Sequence, residues 1–265
     1  MAREQWKKLI AYLKDNIFIV NIFSLVLFLL LWFFVTSQEY VNKIFLPEPQ
    51  QIILVLIDML KSRELLHNIY VSLIRVALGF AIGAGMAIPL GLLMGWYRIF
   101  QGFVDPIIEF FRPIPPLAFI PLAILWFGIG EESKIFVIWL GTFFPILINV
   151  IAGIREVDPV LIKAAYTLGA KDRHIFFEVC LPASLPFILA GLRIGLATGW
   201  TCLVAAELIA ARAGLGFMIA DARRYFRTDI VMLGIVVIGV IGILLDRILR
   251  IIETKLTDWQ ERYAD

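Results

Sequence analysis

The sequence predicts an all-α, polytopic membrane protein, and three observations carry that prediction. Hydrophobic residues make up 61% of the 265 positions, charged residues only 17%, and mean hydropathy is +0.89. A soluble domain holds about 45–50% apolar and about 25% charged residues. Apolar stretches recur at about the 20 residues that a membrane helix needs, and Lys and Arg are distributed unevenly between the segments that join them. Composition therefore argues against a soluble enzyme and against a disordered chain. A net charge of +2, from 24 basic and 22 acidic residues with no basic stripe, gives no footing for nucleic acid. Cys180 and Cys202 lie in or beside apolar stretches, outside any disulfide or zinc spacing, and the two histidines, His67 and His174, are too few for most metal centres.

Six spans follow in order: 17–36, 70–96, about 102–127, about 135–154, about 187–210 and about 230–249. The first is too long, and lacks the small-residue site, for a cleavable signal peptide. With the N-terminus inside, the inner segments carry 13 basic residues and the outer ones 8, so both termini are expected in the cytoplasm. The expected division is a cytoplasmic segment 1–16, a transmembrane domain 17–250 and a charged cytoplasmic tail 251–265 with Trp259 as an interface anchor. Residues 48–65 begin Glu48-Pro49 and continue with Ile52, Ile53, Leu56 and Leu60, the spacing of a short amphipathic helix lying on the outer surface.

The longest polar stretch between spans is 155–186. Asp158-Pro159 is a helix start, with Asp as N-cap and Pro in the first helical position. A short helix runs to Gly169, the residue type that permits a left-handed C-cap. Asp172 is expected to cap a second short helix, ended by Leu181-Pro182 and Pro186. Ala164, Ala165 and Gly169 are small enough to let another surface approach the backbone. The pair of helices either packs on its own membrane domain or docks a partner.

The order Lys163-Ala164-Ala165, Gly169, Val179-Cys180-Leu181-Pro182 resembles the EAA loop of binding-protein-dependent ABC importer permeases: EAA, three residues, G, nine residues, I-x-LP. Lys163 stands where many relatives have Glu. The resemblance extends over about 45–250. Asp105 through Pro116, Trp126-Phe-Gly128-Ile-Gly130, Gly199-Trp200 through Glu207, and Gly214-Leu-Gly216 are similar to the taurine and aliphatic-sulfonate branch. It implies a MetI-like five-helix permease core (spans 2–6) with a peripheral first helix, in a bacterial inner membrane. It also implies a homodimer, because six spans enclose a polar path poorly and twelve do so well. Lys163, Ala164, Ala165, Gly169, Leu181 and Pro182 would belong to a coupling helix seated in a cytoplasmic ABC ATPase dimer. No Gly-x-x-x-x-Gly-Lys-Ser/Thr cradle exists in the chain, so ATP and Mg are used by that partner and no cofactor is bound here. An external solute-binding protein would deliver the cargo. The chain itself is not expected to be an enzyme.

Ionisable residues within spans are functional candidates by default. Arg75, early in span 2, and Glu207, late in span 5, fall near the outer face and are expected to pair, as an outer gate latch or as a static lock on the fold. Arg112 precedes Pro113, Pro115 and Pro116, which remove three amide donors and open the helix at membrane depth. Such broken helices bind substrate in transporters. Arg112 there either meets an anionic head group or pairs with Glu109 within its own helix. Thr198, Trp200 and Thr201 either line the passage or join helices. Gly79, Gly83, Gly85, Gly91 and Gly95 predict close helix packing, and Arg193 is expected to snorkel toward the inner face. Arg212, Arg223, Arg224 and Arg227, with Asp221 and Asp229, form either a rim for the binding protein or a solvated face with ion pairs. The cargo expected is a small organosulfonate, taurine first, with nitrate, bicarbonate or a pyrimidine vitamin precursor as rivals. Of the other classes, a secondary transporter would bear inverted repeats, and a membrane enzyme would cluster His, Cys or carboxylate pairs.

Overall fold

A computed structural model describes residues 17–38, 42 and 44–257; the expected segment 1–16 and Trp259 lie outside them. The described residues with regular structure are all helical. They comprise α1 (Ile17–Ser37), α2 (Pro49–Lys61), α3 (Glu64–Trp96), α4 (Arg98–Phe111), α5 (Ile120–Phe127), α6 (Glu131–Arg155), α7 (Pro159–Thr167), α8 (Asp172–Ala210), α9 (Leu215–Arg224) and α10 (Thr228–Leu256). Four of them, α3, α6, α8 and α10, are long and apolar enough to cross a membrane, and α4 with 116–127 makes a fifth if the bent pair is one span. The expected total of six additionally requires α1.

Several boundaries differ from expectation. Helix α3 starts at Glu64 rather than Tyr70, because Arg63 takes a left-handed conformation (φ 62°) that separates it from α2. Helix α10 runs through Asp246, Arg247 and Arg250 to Leu256, so the charged stretch after 250 begins as helix. In α2 the packed residues are Ile52 and Met59, with Val55 and Leu56 beside them, whereas Ile53 and Leu60 are exposed. The third span is two helices at 80° to each other. Pro113, Pro115 and Pro116 supply no amide donors there, so the helix ends at Phe111 and resumes through a 3₁₀ turn at Pro116–Phe119.

Most of the packing lies in a slab of three helices, with α6 between α3 and α8. Lipid is as apolar as Leu, so such contacts depend on close packing rather than on hydrophobic burial. The glycines provide it. A Cβ at Gly79, Gly91 or Gly95 would lie 2.6–2.8 Å from Ile138, Val150 or Ile154 of α6, and one at Gly83 would fall on Thr142 Oγ1. Gly85 faces open space and takes no part. On the other side of α6, Gly191, Gly195 and Gly199 of α8 meet Asn149, Ile146 and Thr142 just as closely.

The second helix of the 155–186 loop does not stop before span 5. Asp172–His174 leads into a π-helical turn, Ile175–Cys180, and this into Leu181–Ala210, one helix of 39 residues. Pro182 and Pro186 were expected to end it. Pro182 falls in the first turn after the wider π stretch, where its missing N–H is accommodated without a break, and Pro186 lies inside the helix without ending it. Asp172 is the first helical residue rather than the cap, which is Lys171.

Candidate functional site

Three assemblies gather the candidate residues. The first lies at the end of the slab far from α7, where the starts of α3 and α6 meet the end of α8. Arg75 Nη1 donates to Glu207 Oε1 at 2.7 Å and to the Ala213 carbonyl at 2.6 Å. Its Nε and Nη2 grip Glu131 through both carboxylate oxygens, at 2.5 and 2.6 Å. Glu207 is buried, and it also accepts from Ser72 Oγ (2.8 Å) and from the Gly216 amide (2.8 Å). The next donors back along the α9 start are matched too: Leu215 N to Ser72 Oγ and Gly214 N to Asn68 Oδ1, at 2.9 and 2.8 Å. Lys134 is buried, donates to the Gly130 carbonyl at 2.7 Å and lies 3.7 Å from Glu131. Two cations and two carboxylates therefore form a neutral cluster. Gly214 is required, since its φ is +117° and a Cβ would fall within 2.6 Å of the Glu207 carboxylate.

The expected partners Arg75 and Glu207 are thus in contact, but Glu131, Lys134, Ser72 and Asn68 were missed. Glu131 and Lys134 read as loop charges between spans. Only the helix periodicity that aligns Asn68, Ser72 and Arg75 on one face of α3 pointed to a polar seam.

The second assembly is a pocket of about 390 Å³ on the opposite face of the slab, lined by Arg112, Pro115, Pro116, Leu117, Leu140, Phe144, Thr198, Thr201 and Cys202 among others. Arg112 sits at the break between α4 and α5 and makes no ion pair among the described residues, so the alternative of a Glu109 partner is not realised. Thr198 has a structural task as well. Pro145 cannot donate to the carbonyl of Gly141, and Thr198 Oγ1 donates to that oxygen at 2.7 Å. Trp200 is not in this pocket. Residues 198 and 201 share a helix face, while 200 points about 200° away from 198; its indole donates to the Ile238 carbonyl of α10 at 3.3 Å. Arg193 does not snorkel freely either. It is held by Asp246 of α10 at 2.5 Å, with Glu253 at 3.7 Å.

The third assembly is α7. The Asp158 side chain accepts from Val160 N, Pro159 stands first, and Gly169 closes the helix at φ +82° with Gly169 N on Tyr166 O and Ala170 N on Ala165 O. One face, Ile162, Ala165 and Ala170, packs on Ile154, Val157, Ile175 and Cys180. The other exposes Val160, Leu161, Lys163, Ala164 and Leu168, the last at 88%. One side therefore packs on its own domain, and the opposite side is exposed. Leu181 and Pro182 lie in the first turn after the π stretch. The Tyr166 hydroxyl donates to Asp172 Oδ1 at 2.9 Å, which raises the phenol above its ordinary pKa. Around α9, Arg224 pairs with Asp221 (3.8 Å) and Arg227 with Asp229 (2.8 Å), an exposed face with ion pairs.

A family model described as the binding-protein-dependent transport system inner membrane component matches residues 87–258. A taurine transport system permease protein of Escherichia coli (strain K12) is 42% identical over 245 residues, 91% of this chain and 89% of that one. An aliphatic sulfonates transport permease protein of Bacillus subtilis (strain 168), provisionally so named, is 40% identical over 88% of this chain and 84% of its own. A nitrate import permease protein of Synechocystis is 34% identical over 74% and 71%. Among solved structures, the MetNI methionine ABC transporter in inward-facing conformations gives a TM-score of 0.57 at 23% identity, covering 70% of this chain and 94% of that one, a likeness of fold alone.

Proposed function

The chain belongs to the binding-protein-dependent transport system inner membrane components, and on that premise we propose that it forms the path of an ATP-driven importer for a small organosulfonate, taurine first. The observation that carries the cargo class is Arg112, an arginine without a carboxylate partner among the described residues, at a break in a membrane span that opens on a pocket. Its guanidinium suits a sulfonate in two-pronged hydrogen bonding. The apolar lining, Leu117, Leu140 and Phe144, suits the alkyl part. Pro115, Pro116, Thr198 and Thr201 would shape the path; Trp200 supports it from behind.

In this reading a second copy faces the pocket and closes the passage. The exposed face of α7, with Lys163, Ala164, Ala165 and Gly169, sits in a cytoplasmic ABC ATPase, and Leu181 and Pro182 join it to the span. Both termini are cytoplasmic, and a solute-binding protein delivers cargo to the opposite side. The Arg75–Glu207 pair lies within the glycine-packed slab, which favours a fixed lock over a gate. Nitrate is the second reading, carried by the nitrate-import relative. Nitrate has no apolar part to match the lining.

The test is uptake into proteoliposomes holding the permease, its ATPase and its binding protein. Labelled taurine should accumulate with ATP, and Arg112→Gln should raise the half-saturating concentration by about tenfold or more, the worth of one charge-assisted contact. Accumulation of nitrate but not taurine would overturn the cargo. An unchanged half-saturating concentration in the variant would remove Arg112 from the site.

A further inference from the structure

A groove of about 450 Å³ lies at the α7 end of the slab, away from the path and from the outer cluster. Its walls are the last turn of α3 (Leu92, Leu93, Trp96, Tyr97) and the start of α8 (Asp172, Arg173, Phe176, Phe177). Three observations bear on what it holds. Leu93 and Phe177 are 44% and 55% exposed at the point where an apolar span ends, so that rim is an exposed apolar edge of the kind a lipid chain covers. Trp96 stacks edge-on against Phe176 at 5.3 Å, and Trp96 and Tyr97 at the end of a span are the amphipathic ring types that favour a head-group region. Arg173 makes no ion pair among the described residues, and neither do the exposed Lys171, two residues before it, and Arg98, next to Tyr97 in sequence. The single opposing carboxylate, Asp172, has one oxygen engaged by Tyr166. The groove therefore joins an exposed apolar wall to one basic side chain without an ion-pair partner among the described residues.

We propose that it seats an anionic phospholipid of the leaflet on the α7 side. The phosphate meets Arg173 and the Tyr97 hydroxyl, and the first acyl carbons lie over Leu92, Leu93 and Phe177. The wall formed by Phe176 and Phe177 belongs to the π-helical turn, an element that concentrates at functional sites. That turn joins α7 to its span, and Asp172 on its lip holds Tyr166 of α7. Occupancy by lipid would stiffen the joint through which the loop moves.

The experiment uses the full complex, permease with its ATPase and binding protein, in nanodiscs of phosphatidylcholine doped with phosphatidylglycerol. Native mass spectrometry counts retained lipid after mild detergent release. Phosphatidylglycerol should be retained over phosphatidylcholine, and Arg173→Gln should lower that preference about fivefold, the worth of one basic residue at an anionic surface. Leu93→Trp, which fills the groove, should abolish retention while leaving Arg173 in place. Equal retention of the two lipids in the wild type, or an unchanged preference in Arg173→Gln, would overturn the proposal. So would competition by inorganic phosphate as effective as that by phosphatidylglycerol, or protection of the groove from a lipid-borne photoprobe only when the ATPase is present. None of these readouts depends on the identity of the cargo.

Discussion

Replacing Glu207 with Leu tests whether the outer cluster is a lock. The two side chains are close in size, so the change removes charge and acceptors rather than volume. Arg75 is 3% exposed and would keep Glu131 and the Ala213 carbonyl, but would lose its buried carboxylate. Ser72 would lose its acceptor, and the Gly216 amide would be left buried without one. Breaking a buried pair by removing one partner costs about 3–5 kcal/mol. The orphaned amide, by itself about 1–3 kcal/mol, is part of the same loss. Because Glu131 still compensates Arg75, the expected total is toward the lower end, about 3 kcal/mol. Glu131→Gln provides the contrast. Its carboxylate is 57% exposed, so water replaces much of what is lost, and about 0–1 kcal/mol is expected. Arg75→Met with Glu207→Leu should cost less than the two singles added, with a coupling of about 0.5–3 kcal/mol. The assay is reversible unfolding in mixed micelles followed by loss of helicity. Variants that fold should carry as much cargo per ATP as the wild type, since a fixed lock does not move in the cycle. A Glu207→Leu protein within about 1 kcal/mol of wild type, or a Glu131→Gln protein equally damaged, would refute the lock.

Two further outcomes follow from the geometry. Gly83→Val should destabilise by at least about 1–3 kcal/mol, because its Cβ would fall on Thr142, whereas Gly85→Val should be neutral in the same unfolding assay. The Tyr166 phenol is raised above its unfolded value by donating to Asp172. The sign follows: the stabilisation is complete below the unfolded phenol pKa of about 10 and is lost as pH rises through the folded value. An alkaline loss of the α7 contact to 172, seen by hydrogen exchange in 165–175, should therefore be absent in Tyr166→Phe.

What the sequence revealed depended on whether the signal was local. The caps of α7 at Asp158, Pro159 and Gly169 act within a few residues, and the structure forms them as read. The proline break after Arg112 is equally local, because a missing amide has its effect one turn away. Long-range pairing was only half legible. Arg75 and Glu207 stood out as charges in apolar spans, but Glu131 and Lys134, at the mouth of a helix, looked like any loop charges until the fold buried Lys134. Thr198, Trp200 and Thr201 were offered together as lining a passage or joining helices, and the helix divides them: it turns the indole away from the hydroxyls, and Trp200 joins α8 to α10. Local proline rules also erred at Pro182, which follows directly on a π turn, and at Pro186, which the helix carries without ending. A π turn has no signature in a single sequence.

The continuity of α8 has a mechanical consequence that can be tested. From Asp172 to Ala210 the helix is unbroken, about 58 Å at 1.5 Å per residue, with α7 packed at one end and Glu207 fixed near the other. The glycine seams hold α3, α6 and α8 together. In the proposed reading a push on α7 reaches the slab through the stretch 172–183, and the freer elements are the broken pair α4–α5 and α10. If that stretch is the transmitting joint, softening it should separate ATP use from transport. Glu178 is exposed and Ala183 half-buried beside Ile175 and Cys180, so glycine at both costs about 1 kcal/mol each in helix stability and takes a single methyl from the packed face. In the reconstituted importer the double variant should hydrolyse ATP near the wild-type rate while cargo carried per ATP falls severalfold, and Glu178→Ala alone should leave both at the wild-type value. If cargo per ATP stays at the wild-type value in a folded double variant, the thrust travels by another route, and the direct packing of Ile162 and Ala165 against the end of α6 is the element to examine.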